Sequence, residues 1–294
     1  MVNPMNISYE AYRVFYYTAK TRSFTQAANA LGNSQPNISR IIKNLERELG
    51  CVLLLRNNRH VSAAFEQLQA GEEALRRGGG LDGGILRITA TEVALRVFLL
   101  PVLSQFRARY PGVHIKLLNS STPAAIEELN KGLADLAFVT TPADITQKLR
   151  STPLADVQEV AVCGGAYRSL TGCKVTLEAL SGYPLISLGE HGSTYRLYRQ
   201  FFADHHVPFE PDIEAATADQ ILPMVKANLG IGFVPASFLS EADWGQSIYP
   251  IDLVQKLPPR KVCLVESAQY SAAAAAKELK KICFAHSAAV DLFP

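Results

Sequence analysis

Apolar residues recur at helical spacing from near the start of the chain. In Tyr9–Ala19 they place Tyr12, Phe15, Tyr16 and Ala19 on one side, which predicts an amphipathic helix with that face buried. Ser23-Phe24-Thr25-Gln26 then forms a capping box, in which the hydroxyl and the Gln side chain satisfy orphan backbone donors. Ala27, Ala28, Ala30 and Leu31 continue it as a short helix, and Gly32-Asn33 breaks it, since both residues tolerate the left-handed conformation. Ser34 predicts the cap of the next helix, with Pro36 in its first turn and Ile38, Ile41, Ile42 and Leu45 as its apolar stripe. Gly50 stops it. Two short helices joined by a tight turn, the second opening on polar residues, predict a helix-turn-helix.

Beyond Gly50 the pattern changes twice. Val52–Leu55 reads as a strand entering the basic turn Arg56-Asn57-Asn58-Arg59, a wing. Val61, Phe65, Leu68, Glu72 and Leu75 then repeat at heptad spacing with one charged interruption, which predicts a seam-forming helix over Ser62–Arg77. Gly78-Gly79-Gly80 and Gly83-Gly84 form a joint. After it, strands and helices alternate: Ile85–Thr89, Val93–Tyr110, Val113–Leu118, Pro123–Lys131 and Leu136–Thr140 give a β-α-β-α-β order. Such an order implies a parallel sheet with ligands at the carboxyl ends of its strands. A second set follows, with strands at Glu159–Cys163, Leu185–Ser187, Ile213–Ala215 and Ile231–Val234 and helices near Tyr195–His205 and over Ala218–Asn228, and Val262–Glu266 with the helix Ser271–Phe284 closes the chain. The expected fold is therefore α/β, with an N-terminal all-α winged helix-turn-helix. Residues 1–62 form the head, 63–84 the linker helix and hinge, and 85–294 a two-lobed domain. The first lobe takes 85–160 and 267–294, the second 161–266.

Composition narrows the class. With 294 residues, 48% hydrophobic and 19% charged, there is material for more than one buried core and no disordered bulk. No apolar run reaches the roughly 18 residues of a membrane helix, and no secretory signal pattern stands at the N-terminus. Five cysteines, scattered and without a C-x-x-C pair, speak against a disulfide framework or zinc site and for a reducing cytoplasm. The net charge of +2 hides an asymmetry: residues 1–60 carry eight Lys/Arg against three acids, leaving 21 bases and 24 acids for the rest. A basic head on a slightly acidic body suits a polyanionic partner at one end only.

The segment 24–50, FTQAANALGNSQPNISRIIKNLERELG, resembles the LysR-type transcriptional regulators, through its A-A-x-x-L first helix, Ser34-Gln35-Pro36 turn, Ser39-Arg40 and Leu45-Glu46…Leu49-Gly50 ending. The second half is similar to that family's effector domain at Leu99-Leu100-Pro101, Tyr110-Pro111, Gly132…Asp135-Leu136-Ala137 and Gly230-Ile231-Gly232…Pro235. The resemblance implies a type 2 periplasmic-binding-protein-like sensor and a homodimer or homotetramer. Its recognition helices would enter the major grooves of a double-stranded operator under control of a small-molecule effector. One departure stands out: Arg59-His60-Val61-Ser62 runs directly into Ala63-Ala64-Phe65, without the family's T-x-x-G segment. The linker helix over Ser62–Arg77 would span only about 24 Å at 1.5 Å per residue.

The residues suit that reading chemically. Ser34, Gln35, Pro36, Asn37, Ser39 and Arg40 start or line the second helix of the motif. Gln and Asn there match adenine and Arg matches guanine. Lys43, Arg56 and Arg59 can neutralise flanking phosphates. For Ser34 and Pro36, helix-start duty alone is the competing explanation. In the sensor, Thr91 and Glu92 follow the first strand, Ser120, Ser121 and Thr122 the second, and Thr140 and Thr141 the third. Ser187, His191, Ser193, Thr194 and Thr217 come from the second lobe, and all should approach one effector crevice. The family places its effector at Thr91. Thr217 also starts Thr217-Ala218-Asp219-Gln220, a capping box that would account for it without a ligand. Hydroxyls at helix starts suit a carboxylate, whereas Glu92 would repel one and therefore either points away or favours an amine.

No catalytic constellation emerges. The six histidines lack metal-ligand spacing, G-x-S-x-G and P-loop motifs are absent, and Gly230-Ile231-Gly232 precedes rather than follows its strand. A non-enzymatic protein without metal or cofactor is expected. The rival to a DNA-binding regulator is a solute-binding protein, or a regulator remnant whose shortened wing and linker no longer engage DNA.

Overall fold

The computed structural model describes residues 8–21, 23–49, 84–240, 246–268 and 273–290. The predicted wing with Arg56 and Arg59, the heptad seam and the glycine joint lie outside the described residues. Contacts divide the chain into two units, Met1–Gly84 and Ile85–Pro294.

In the first unit three helices, α1 (Tyr9–Thr21), α2 (Phe24–Ala30) and α3 (Gln35–Leu49), bury Val14, Phe15, Ala19, Ala27, Ala28, Ile38, Ile42 and Leu45 together. The Ser23 hydroxyl oxygen accepts from Gln26 N–H, as the capping box requires. Gly32 takes φ +60, the left-handed turn that ends α2. The buried face of α1 is rotated from the one expected: Val14 and Thr18 are in the core while Tyr12 is 37% exposed. Thr18 can sit there because its hydroxyl donates to the Val14 carbonyl at 2.7 Å.

The second unit holds two mixed sheets. The first runs β2-β1-β3-β11-β4 and the second β6-β10-β5-β9-β7-β8. In chain order, β1 (Gly84–Ala90) leads into α4. That helix comprises Glu92–Ala94, a π-helical stretch Leu95–Leu99, and Leu100–Arg109. Then come β2 (Val113–Asn119), α5 (Thr122–Asn130), β3 (Leu136–Thr140), β4 (Leu149–Val157) and β5 (Glu159–Cys163). The second lobe continues with β6 (Lys174–Val175), α6 (Leu177–Leu180), β7 (Leu185–Leu188), α7 (Ser193–Asp204), β8 (Ile213–Ala215), α8 (Ile221–Lys226), β9 (Ile231–Pro235) and β10 (Tyr249–Leu253). Finally β11 (Arg260–Ser267) and α9 (Ala274–Val290) return to the first.

The expected parallel pairing holds for β1 with β3, whereas β11 runs antiparallel to both β3 and β4. This moves a lobe boundary. β11 was expected in the second lobe up to residue 266, but all eight of its residues pair in the first sheet. The chain thus crosses between lobes at Gln158, between β4 and β5, and again over 254–259, between β10 and β11.

Leu86, Ile88, Phe98, Phe106, Phe138, Leu264 and Leu279 bury a core where α4 and α9 cover the first sheet. Each such large side chain contributes roughly 1.5–3 kcal/mol. Leu177, Leu185, Phe202, Phe209 and Phe233 fill a core in the second lobe. Gly230 marks a close crossing: a Cβ there would lie 2.6 Å from the Pro184 carbonyl oxygen.

Candidate functional site

In the head, the start of α3 is exposed at Ser34, Gln35, Pro36, Arg40 and Lys43, with Asn37 and Ser39 half-buried. Polar bonds organise this surface. Asn33 Oδ1 accepts from Ser34 N–H at 2.8 Å and from Asn37 Nδ2 at 2.9 Å, and Arg40 Nη2 donates to Asn37 Oδ1 at 2.9 Å. The helix therefore presents a fixed row of amide and guanidinium groups rather than loose side chains. Such groups can meet base edges or phosphates in a major groove. Asn33, read in the sequence only as a helix breaker, anchors that row.

In the second unit a crevice of about 440 Å³ opens between the lobes where β1, β2, β3, β7 and β8 end. Thr91, Glu92, Ser120, Ser121, Thr122, Thr140, His191, Ser193, Thr194 and Thr217 all line it. Two expected residues do not. Ser187 is buried in β7 beneath the surface, and Thr141 is used by the sheet. Its hydroxyl oxygen accepts from Lys261 N–H and its carbonyl accepts from Arg260 Nε. His191 stands on the rim with its side chain 97% exposed. Asn119, Glu190 and Glu214 line the crevice without having been singled out in the sequence.

The hydrogen bonds give the walls a polarity. Thr91 caps α4, its hydroxyl oxygen accepting from Ala94 N–H at 3.2 Å. Thr140 and Thr194 each accept from Arg260 Nη2, at 2.7 and 3.0 Å. A hydroxyl whose oxygen is already an acceptor keeps its proton for a further partner. The O–H groups of these three threonines are thereby left to donate into the crevice. Ser120 and Thr122 are the reverse, donating to Glu128 at 2.9 Å and to the Thr140 carbonyl at 3.2 Å. Glu92 is held to the β2 end, accepting from Asn119 Nδ2 at 3.1 Å.

Helix starts add to this polarity. At Ser121, Gly192 and Thr217 the N-cap residue makes no side-chain bond to its helix, which leaves the first N–H groups uncapped at the crevice. The expected capping box at Thr217 does not form: Gln220 Oε1 accepts from Ala216 N–H, one residue before the cap, and the Thr217 hydroxyl does not cap.

Arg260 and Glu159 were not legible as site residues. Their side chains are 2% and 1% exposed and meet at 2.5 Å. Burial, with the Glu159 carboxylate nearby, holds the adjacent Tyr198 phenol well above its ordinary value, so it stays neutral. Arg196 of α7, whose Nη2 also reaches the Ser193 hydroxyl, pairs with Asp144, beyond β3, at 3.0 Å. A broader depression of about 1250 Å³ is lined by residues of both crossings, with Pro250, Pro258, Pro259 and Leu257 among its walls. Arg260 and Glu159 are in its lining, not in that of the crevice, and it lacks the converging hydroxyls. Among the described residues no group of three or more His, Cys, Asp or Glu could hold a metal ion.

Comparison with known proteins matches both units. Residues 9–65 fit the bacterial regulatory helix-turn-helix protein, lysR family, and residues 79–288 fit the LysR substrate binding domain. The regulator CysB of Burkholderia cenocepacia is 30% identical over 244 residues, covering 78% of this chain and 78% of that protein. AlsR of Bacillus subtilis is 29% identical over 241 residues, covering 76% and 78%. Among solved structures, full-length CbnR in complex with its target DNA aligns with a TM-score of 0.61 at 18% identity, covering 96% of this chain and 99% of that one. HinK, a LysR family regulator from Pseudomonas aeruginosa, aligns with 0.58 at 20% identity, covering 95% and 98%.

Proposed function

Because the chain belongs to the LysR family of transcriptional regulators, we propose that its crevice holds a small effector by an acceptor group, a carboxylate or similar anion. That effector sets how paired heads engage an operator. The protein is a regulator with a DNA-binding helix-turn-helix and an effector domain. The observation that carries the finer reading is the donor array. The O–H groups of Thr91, Thr140 and Thr194 converge with the uncapped N–H groups at three helix starts. A ligand offering lone pairs there replaces the water that would otherwise satisfy them. Glu92 and Glu214, also lining the crevice, would meet the other end of the ligand and suit a hydroxyl or ammonium. The carboxylate and the amine of the sequence reading thus become two ends of one molecule.

On the DNA side, Gln35, Asn37 and Arg40 read base edges while Ser34, Ser39 and Lys43 hold phosphates, with Pro36 shaping the helix start. CbnR has been solved with its target DNA. By analogy a homodimer or homotetramer of this chain would place two heads on half-sites related by dyad symmetry. Effector binding biases the lobe arrangement, and the oligomer transmits that bias to the heads. The protein acts by binding rather than by catalysis, in the cytoplasm; no helix among the described residues is long and apolar enough to cross a membrane.

Thermal-shift screening of small carboxylates, amines and amino acids tests the effector class. A ligand at 100 times its Kd adds about 2.7 kcal/mol. At least one acceptor-bearing compound should raise the melting temperature, and Thr91→Val should remove the rise. Stabilisation by simple amines alone, or a rise untouched by Thr91→Val, contradicts the reading.

A further inference from the structure

Arg260 occupies an unusual place in the fold. It is the first residue of β11, where the chain returns to the first lobe, and it pairs in register with Val157, the last residue of β4 before the chain leaves. Its guanidinium spends its donors on three separate elements. Nε reaches the Thr141 carbonyl beyond β3, Nη1 reaches Glu159 at the start of β5, and Nη2 is shared by Thr140 of β3 and Thr194 of α7. The last two are crevice residues from opposite lobes.

A buried ion pair is an inefficient way to hold a chain crossing. Well-packed apolar side chains of the same volume often serve as well or better. What an apolar pair cannot do is donate to two hydroxyl oxygens at once. Thr140 accepts at 2.7 Å and Thr194 at 3.0 Å, so both hydroxyl protons are turned away from the guanidinium and are free to point at a ligand. Glu159 in turn compensates the buried charge, so Arg260 orders the hydroxyls without placing an unpaired cation beneath the crevice.

We propose that Arg260 is a positioning residue that sets the specificity of the crevice: by donating to Thr140 and Thr194 it fixes both hydroxyls as donors and makes the site select ligands with an acceptor group. This rests on the crevice being the effector site. Lysine in its place keeps a charge for Glu159 but has no planar fork with which to reach both threonines. The role is therefore one of direction, not of charge.

The experiment uses the full chain and two probes read by fluorine NMR, trifluoroacetate, which offers acceptors, and trifluoroethylammonium, which offers donors. The unaltered protein should bind the first at least about tenfold more tightly than the second, the scale of a charge-assisted hydrogen bond. Arg260→Lys should erase most of that preference. It should have less than about a twofold further effect in a Thr140→Val/Thr194→Val background, because Arg260 acts through those hydroxyls. Should Arg260→Lys unfold the chain, Glu159→Gln/Arg260→Met removes the pair without leaving a buried charge and is expected to lose the preference as well.

An equal loss in both backgrounds, or a preference untouched by either arginine variant, overturns the proposal and leaves Arg260 a structural residue. Absence of any preference in the unaltered protein overturns it too. Trifluoroacetate binding untouched both by the two valines and by Thr91→Val would place the anion outside the crevice, which is failure of the site reading itself.

Discussion

Glu159 and Arg260 stand at the two places where the chain passes between the lobes, and their side chains meet there at 2.5 Å, almost wholly shut off from solvent. One charge removed from such a pair strands the other in a low-dielectric interior. Arg260→Met should therefore cost about 3–5 kcal/mol, while Glu159→Leu/Arg260→Met should recover most of that loss. Urea unfolding of the four proteins in a double-mutant cycle checks it. A loss in the double variant equal to the sum of the two single losses would show that the two side chains do not depend on each other.

Gly230 is required for a close approach rather than for a turn. A methyl group at this position would press on the backbone carbonyl of Pro184, which cannot rotate away as a flexible side chain would. Gly230→Ala should cost about 1–3 kcal/mol, the range for overpacking. The same denaturation measurement reads it, and a neutral result would mean that β9 can shift away from the chain entering β7.

Much of this architecture is legible in the order of residues, and the failures have physical reasons. The three helices of the head and the strands β1, β2, β3, β7, β8 and β9 follow from periodicity and punctuation. β4 and β10 do not, because each contains a proline: Pro153 and Pro250. Pro153 is tolerated because β4 is an edge strand, and it pairs beside the register shift between Val262 and Cys263. Pro250 pairs only with Val162 of β5, since the short β6 reaches no further than Asp252 and Leu253. The crevice hydroxyls were legible because they follow strand ends. Arg260 was not: it follows two prolines, and its partners Thr140 and Glu159 lie far away in sequence.

The thiols divide by environment. Burial pushes Cys283 up to about 12 and Cys163 up to about 11, and also raises Cys263, whereas Cys173 is exposed. Among these four, Cys173 alone should be alkylated rapidly at pH 8, the others only on unfolding. Peptide mapping after brief iodoacetamide treatment checks this. The sign for stability follows: the unfolded thiols ionise near pH 8.5–9 while the folded ones stay protonated. The contribution of Cys163 and Cys283 is thus fully present below that range and is lost as pH rises toward 11–12. Their replacement by alanine should flatten this part of the pH profile, after allowance for lost packing.

Lys43 lies on the exposed side of α3 beyond the row of Asn33, Asn37 and Arg40. A phosphate contact there carries no sequence information. Lys43→Ala should weaken binding to all duplexes about equally and lower the slope of log affinity against log salt by about 1. Salt titrations on a selected and a scrambled duplex measure it, and a loss confined to the selected duplex would make Lys43 a base reader instead.

The most direct test of the account is selection of duplexes from a random library by the full chain, followed by affinity measurement with and without Arg40→Ala. A sequence with dyad-related half-sites should be enriched and bound in a salt-dependent manner. Arg40→Ala should cost about 1–3 kcal/mol on that sequence and relax the preference at one position per half-site, with the fold retained. Binding without enrichment of any sequence, or an enriched sequence held equally well by Arg40→Ala, would contradict the assignment of α3 as the reading helix.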